Sequence, residues 1–105
     1  MSNPIYDMLK QAECQNDIAD INGIVSVYER SRGMYLDLSR ADSKIRELRG
    51  KDAVIFAMTE QKPGMSYTQW NCSAETQCYN ILIAIRTYLE MKLANDIQKQ
   101  QGGRR

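Results

Sequence analysis

The sequence predicts an all-α fold: a small helical hairpin or bundle with a kinked long N-terminal arm and a buried C-terminal helix. Three observations lead there. The chain holds only two prolines, Pro4 and Pro63, and proline breaks helices because it lacks a backbone donor and clashes with the preceding turn. Between them, apolar residues recur three and four apart, the spacing of one helix face. Beyond Pro63, Cys78, Ile81, Leu82, Ile85, Leu89 and Leu93 keep helical spacing, with Ile97 near the end. Tyr79, Ile83, Ala84 and Tyr88 widen that surface, and a helix apolar around so much of its circumference is buried on several sides.

The N-terminal arm, from about residue 4 to 61, starts at Asn3-Pro4. Asn3 is a good cap, and Pro4 suits the first helical position, where its missing donor costs nothing. Asp7 complements the helix dipole. Ile5, Met8, Leu9 and Ala12 form one apolar face. From Ile18 the spacing becomes regular through Ile21, Val25 and Tyr28 to Tyr35, with Arg32 at the skipped position. This is a heptad seam, and Ile18, Ile21, Val25 and Tyr28 are the candidate contact line of a homodimer.

A second stretch, Leu38, Ala41, Ile45, Leu48 and Ile55, has its face rotated away from the first. The phase shift falls near Gly33, which is therefore the expected kink or break. Gly50 is a weaker candidate for another. The alternative is an α+β fold with a short hairpin at Asn22-Gly23, since Asn-Gly is a strong hairpin signal and Ile24, Val25 and Val27 favour strands. Ala53-Val54-Ile55-Phe56 would then be a further strand.

Lys62-Pro63-Gly64 reads as a turn. Ser66-Tyr67-Thr68-Gln69 fits a capping box, with Ser73 as an alternative start for a second arm from about 67 to 99. Residues 100–105 are expected to be a flexible tail.

The 105 residues fit a single domain, residues 1–105, burying about two thirds of the unfolded surface. With 43% hydrophobic and 26% charged residues, wholesale disorder is not expected. A net charge of +1 exerts no global pull on nucleic acid or acidic membranes. No apolar run reaches the ~18–20 residues of a membrane helix, and no signal pattern opens the chain, so a cytoplasmic location is expected. Three cysteines, Cys14, Cys72 and Cys78, read as reduced thiols rather than a disulfide framework. There is no histidine, which removes the commonest general base and metal ligand.

The charges form two stripes at helical spacing: Glu13, Asp17 and Asp20, then Arg40, Lys44 and Lys51. They read chiefly as solvated helix faces, with Asp42–Arg46 and Glu47–Lys51 as local pairs. The alternative is a docking surface, or complementary stripes that fix register between helices or subunits. Arg40, Lys44 and Lys51, with Tyr67 and Trp70 beside the turn, are the candidate partner-binding residues. Tyr and Trp dominate interface energetics; Trp70 could equally close the bundle over Phe56 and Met58.

Arg30, Arg32, Arg46 and Arg49 extend the basic segment Arg30–Lys51 and are candidate nucleic-acid contacts. Glu29, Asp37, Asp42 and Glu47 are interleaved with them, and no base-stacking aromatic pattern accompanies them.

No site for a metal is expected. Glu13, Asp17 and Asp20 lack the closer spacing and glycine of a calcium loop, and the cysteines lack zinc spacing. Cys72 near a helix start could be a reactive thiol, but no histidine can act as its base. Tyr88-x-x-x-Lys92 has the spacing of the short-chain dehydrogenase tyrosine–lysine pair without the glycine-rich turn of a dinucleotide fold. No catalytic constellation and no cofactor is expected. The reading that follows is a non-enzymatic protein-binding module, an adaptor, regulator or inhibitor that occupies another protein's surface, as a homodimer. The alternative is an accessory nucleic-acid-binding protein using Arg30–Lys51.

Overall fold

Helix α1 runs from Pro4 to Arg30, starting at the proline that suits a first helical position. The computed structural model describes residues 4–60 and 73–102, and in these it holds four helices and no strand. Helix α2 spans Leu38–Lys51, α3 spans Ala53–Glu60 and α4 spans Ala74–Gly102. The all-α reading therefore holds. Asn22-Gly23 lies in the middle of α1, so no hairpin forms there: Ile21, Ile24 and Val25 on either side are all buried on one helical face.

The break near Gly33 is a full reversal rather than a kink. Lys44 bonds to Asp17 and Lys51 to Glu13, so α2 runs back antiparallel along α1. Helix α4 is also antiparallel to α1. Tyr28 bonds to Thr76 at one end, and the Cys14 thiol donates to the Leu89 carbonyl 3.4 Å away farther along. The result is a three-helix bundle in which α2 and α4 flank α1, with the short α3 packed against α2 and α4.

Ile21 and Val25 of α1, Leu48 of α2, Ile55 of α3, and Leu82 and Ile85 of α4 fill the centre and are all essentially inaccessible. Cys78, Tyr79, Ile81 and Ile83 of α4 pack around them, which explains why that helix reads as apolar on several sides.

These placements correct the dimer seam. Ile21 and Val25 are buried within one chain, Ile18 packs against that core, and the Tyr28 ring stacks on Tyr79 at 4.2 Å. The regular spacing encodes an intramolecular contact. Tyr35 does not continue it; it lies past the helix end and is exposed.

Gly50 stays helical, and the second break falls at Asp52. The last helix starts at Ala74, with the Ser73 hydroxyl accepting the Thr76 N–H at 3.2 Å. Its helical backbone extends through Gln100 and Gln101 to Gly102, past the start expected for a tail. The Lys62-Pro63-Gly64 turn, the Ser66–Gln69 box and residues 103–105 lie outside the described residues. Among those described, no helix is long and apolar enough to cross a membrane.

Candidate functional site

The end of α1 and the start of α2 form a tip with a hydrogen-bonded backbone. Helix α1 closes with paired bonds from Gly33 N–H to the Tyr28 carbonyl (2.8 Å) and from Arg32 N–H to the Glu29 carbonyl (3.2 Å). This is a Schellman ending, which places one residue in the left-handed region, usually glycine. Here that residue is Arg32, at φ 54°, followed by Gly33 at φ 80°. A side chain in this conformation costs about 1 kcal/mol. A Cβ at Gly33 would also stand 3.3 Å from the Tyr28 hydroxyl, so a side chain there asks that ring to give by a few tenths of an ångström.

Ser31 then ties the turn together. Its hydroxyl oxygen accepts the Tyr35 N–H at 3.0 Å and lies 3.1 Å from the Tyr28 carbonyl. Asp37 ends the connection by capping α2, accepting the Arg40 N–H at 3.0 Å.

Within this frame Leu36 points inward, 4% exposed, while Met34 and Tyr35 stand in solvent at 85% and 58%. Leu38 is at the border of exposure, and Arg30, Arg32 and Arg40 are all exposed around the tip. An open cleft of about 450 Å³ adjoins it, lined by Asp37, Ser39 and Arg40 and, across from them, Asp20 and Ile24.

The two charge stripes meet each other. Lys44, 7% exposed, donates to Asp17 at 2.9 Å and Asp20 at 2.8 Å. Lys51 pairs with Asp17 and Glu13, both at 2.9 Å. Asp17 is itself buried, so the stripes form an interhelical lock around the Asp17–Lys44 pair, while Glu13, Asp20 and Arg40 at its edges stay exposed to solvent. Lys44 and Lys51 are engaged inside the chain, which removes them from the partner-binding set. Arg40 alone of those three faces outward, its guanidinium lying over Gly23.

Burial by itself would lower the Lys44 ammonium, but hydrogen bonds and charges from Asp20 and Asp17 outweigh it and hold it above the usual lysine value. Lys51 is raised for the same reason by Asp17 and Glu13. The Lys51 hydrogen bond and charge hold the Glu13 carboxyl low, and the hydrogen bond from Lys44 does so for Asp20.

A second junction sits at Asp52, between α2 and α3. Its backbone N–H bonds to the Leu48 carbonyl, closing α2. One carboxylate oxygen accepts the Val54 N–H at 2.8 Å, opening α3. The other accepts the Tyr88 hydroxyl at 3.0 Å and Lys92 at 3.4 Å. Tyr88 and Lys92 thus do come together, as a clamp from α4 onto the α2–α3 corner. Burial and the bond to Asp52 push the Tyr88 hydroxyl up to about 12. Burial opposes ionisation of Asp52, but Tyr88, the Val54 N–H and Lys92 hold its carboxyl below the usual range.

These shifts fix a pH profile. Glu13, Asp20 and Asp52 have depressed folded values, so their contribution is present above the ordinary carboxylate range and is lost as pH falls through the depressed values. Tyr88, Lys44 and Lys51 are raised, so theirs is present below the unfolded values and is lost as pH climbs through the raised ones. Urea midpoints should stay flat between about pH 5 and 9 and fall on both sides. A maximum confined to acid pH would contradict this arrangement.

The basic segment is largely neutralised within the chain. Arg46 pairs with Asp42 at 3.0 Å, and Arg49 pairs with Glu60 and stacks on Phe56 at 4.8 Å. Arg30, Arg32 and Arg40 remain with no carboxylate partner among the described residues, all near the tip. The Cys14 and Cys78 thiols are both raised by burial, which disfavours the reactive thiolate. Tyr67, Trp70 and Cys72 lie outside the described residues.

Sequence reasoning missed Met34 and Asp52. Asp37 and Asp52, each directly before an apolar residue that opens a helix, were the available signals.

Compared with protein-family models, curated proteins and solved structures, the chain matches none.

Proposed function

We propose that the chain acts without catalysis, as a protein-binding module that presents the α1–α2 tip to another protein. The observation that carries this reading is the exposure of Met34 and Tyr35 on a backbone already ordered by hydrogen bonds and anchored by Leu36. A preordered loop loses little entropy on binding. Methionine adapts to irregular surfaces, and Tyr and Arg are enriched among the residues that dominate interfaces. Backbone strain at Arg32 fits the same reading, since left-handed non-glycine residues cluster at functional sites.

The chemistry of the tip defines its partner: an apolar recess that takes Met34 and Tyr35, rimmed by carboxylates that meet Arg30, Arg32 and Arg40. A nucleic-acid role has less support, because Lys44, Arg46, Arg49 and Lys51 already hold carboxylates.

The test is affinity capture from the native cell, with and without nuclease, comparing the wild-type chain with Met34→Ser/Tyr35→Ser. The double change should weaken capture of a nuclease-resistant protein by roughly 30-fold or more, as expected for two central contacts, with helicity unchanged. A partner lost to nuclease, with binding falling steeply as salt rises, would favour nucleic acid instead.

A further inference from the structure

Helix α1 carries a second seam on the side away from its own core. At about 100° per residue, Ile5, Leu9, Ala12, Asn16, Ala19 and Gly23 fall within roughly 40° of one line. Their spacing alternates four and three, the repeat of a two-stranded coiled coil. All six are exposed, and Ile5 and Leu9 are 70% and 64% accessible. The seam ends at Gly23, where the Arg40 guanidinium crosses it.

We infer that this face is covered by a second copy of the chain, packed parallel and in register through α1. One feature favours a second copy over a foreign apolar helix, and the flanks then set its direction. Parallel pairing sets Asn16 against its own counterpart, where two amides satisfy each other; an apolar foreign helix leaves the amide unpaired in a buried seam.

The flanks agree with the parallel direction. Glu13 and Asp20 lie on the side toward α2, bonded to Lys51 and Lys44. Gln15 and Asn22 lie on the side toward α4, where Arg86 donates to Asn22 at 2.8 Å. Parallel packing sets the lysine-paired carboxylate flank of one copy against the amide and arginine flank of the other. Antiparallel packing sets Glu13 against Asp20.

The net charge of +1 adds no long-range repulsion. A parallel dimer places both tips at one end of the assembly. That bivalence rests on the tip as binding surface; the dimer itself does not.

Sedimentation equilibrium on the full chain tests the dimer without any partner. The mass should rise from 12.1 kDa toward twice that value as concentration increases through the micromolar range. Leu9→Glu and Ile5→Glu should each weaken association by roughly 30-fold or more while leaving helicity intact, since both side chains are exposed. A constant 12.1 kDa species, or association that neither change affects, overturns the inference.

Direction has its own readout. With Cys14, Cys72 and Cys78 replaced by serine and circular dichroism unchanged, Ala12→Cys should oxidise to a linked dimer. Parallel seams bring equivalent Cα atoms within the ~4.4–6.8 Å a disulfide needs. A dimer that refuses this link is not parallel and in register.

Discussion

Lys44→Ala should destabilise the chain by about 3 kcal/mol, the low end of what breaking a buried ion pair costs. The change strands Asp17, which is as buried as its partner, with only the Lys51 bond at 2.9 Å to compensate. The loss comes from that uncompensated carboxylate and not from an attractive surplus in the pair. For that reason Asp17→Leu/Lys44→Met, which removes both charges, should return stability to within about 1 kcal/mol of wild type or exceed it. Urea unfolding followed by circular dichroism reads both, with an unchanged slope showing that the compactness of the two states is preserved. A single change that costs under about 1 kcal/mol would mean that the two stripes are solvated after all.

The second large effect lies in α4. Leu82 is completely buried, on the helix that packs against the other three. Leu82→Ala removes three carbons and leaves a cavity that long, mutually packed helices cannot close. The expected cost is about 3–5 kcal/mol, against a total of about 5–15 kcal/mol for a domain of ordinary stability. The melting midpoint should fall by on the order of 15 °C. Met91→Ala on the same helix is the matched control. Its side chain is exposed, and the change should stay within about 0.5 kcal/mol. Equal losses at the two positions would place the core elsewhere.

Much of this architecture is readable in particular residues. Pro4 marks a real helix start, Gly33 a real break, and Ile18, Ile21, Val25 and Tyr28 a real packed face. What periodicity does not contain is direction. A phase shift says that the apolar face has rotated, but a kink and a reversal produce the same shift, and a seam within a chain has the same spacing as one between chains. The break at Asp52 was hidden for a related reason: Leu48 and Ile55 are seven residues apart, so the apolar phase carries across the junction unchanged.

The charge stripes were visible as patterns, yet burial decides their meaning. Lys44 becomes a lock because the reversal at Gly33 folds α2 onto the carboxylates of α1. The tip was least legible. Tyr35 falls on the extrapolated seam spacing and stands in solvent only because the helix has already ended at Arg30. Arg32 in the left-handed conformation carries no sequence mark, since that position usually belongs to glycine.

Photo-crosslinking in the native cell tests whether the tip meets another protein, with a photoreactive side chain placed at Met34 in one chain and at Met91 in another. Both sites are exposed, and neither supports the core. The tip reading predicts one discrete, nuclease-insensitive protein adduct from position 34 that the Tyr35→Ser change abolishes, and no such adduct from position 91. No adduct at position 34, alongside a specific one at position 91, would contradict it.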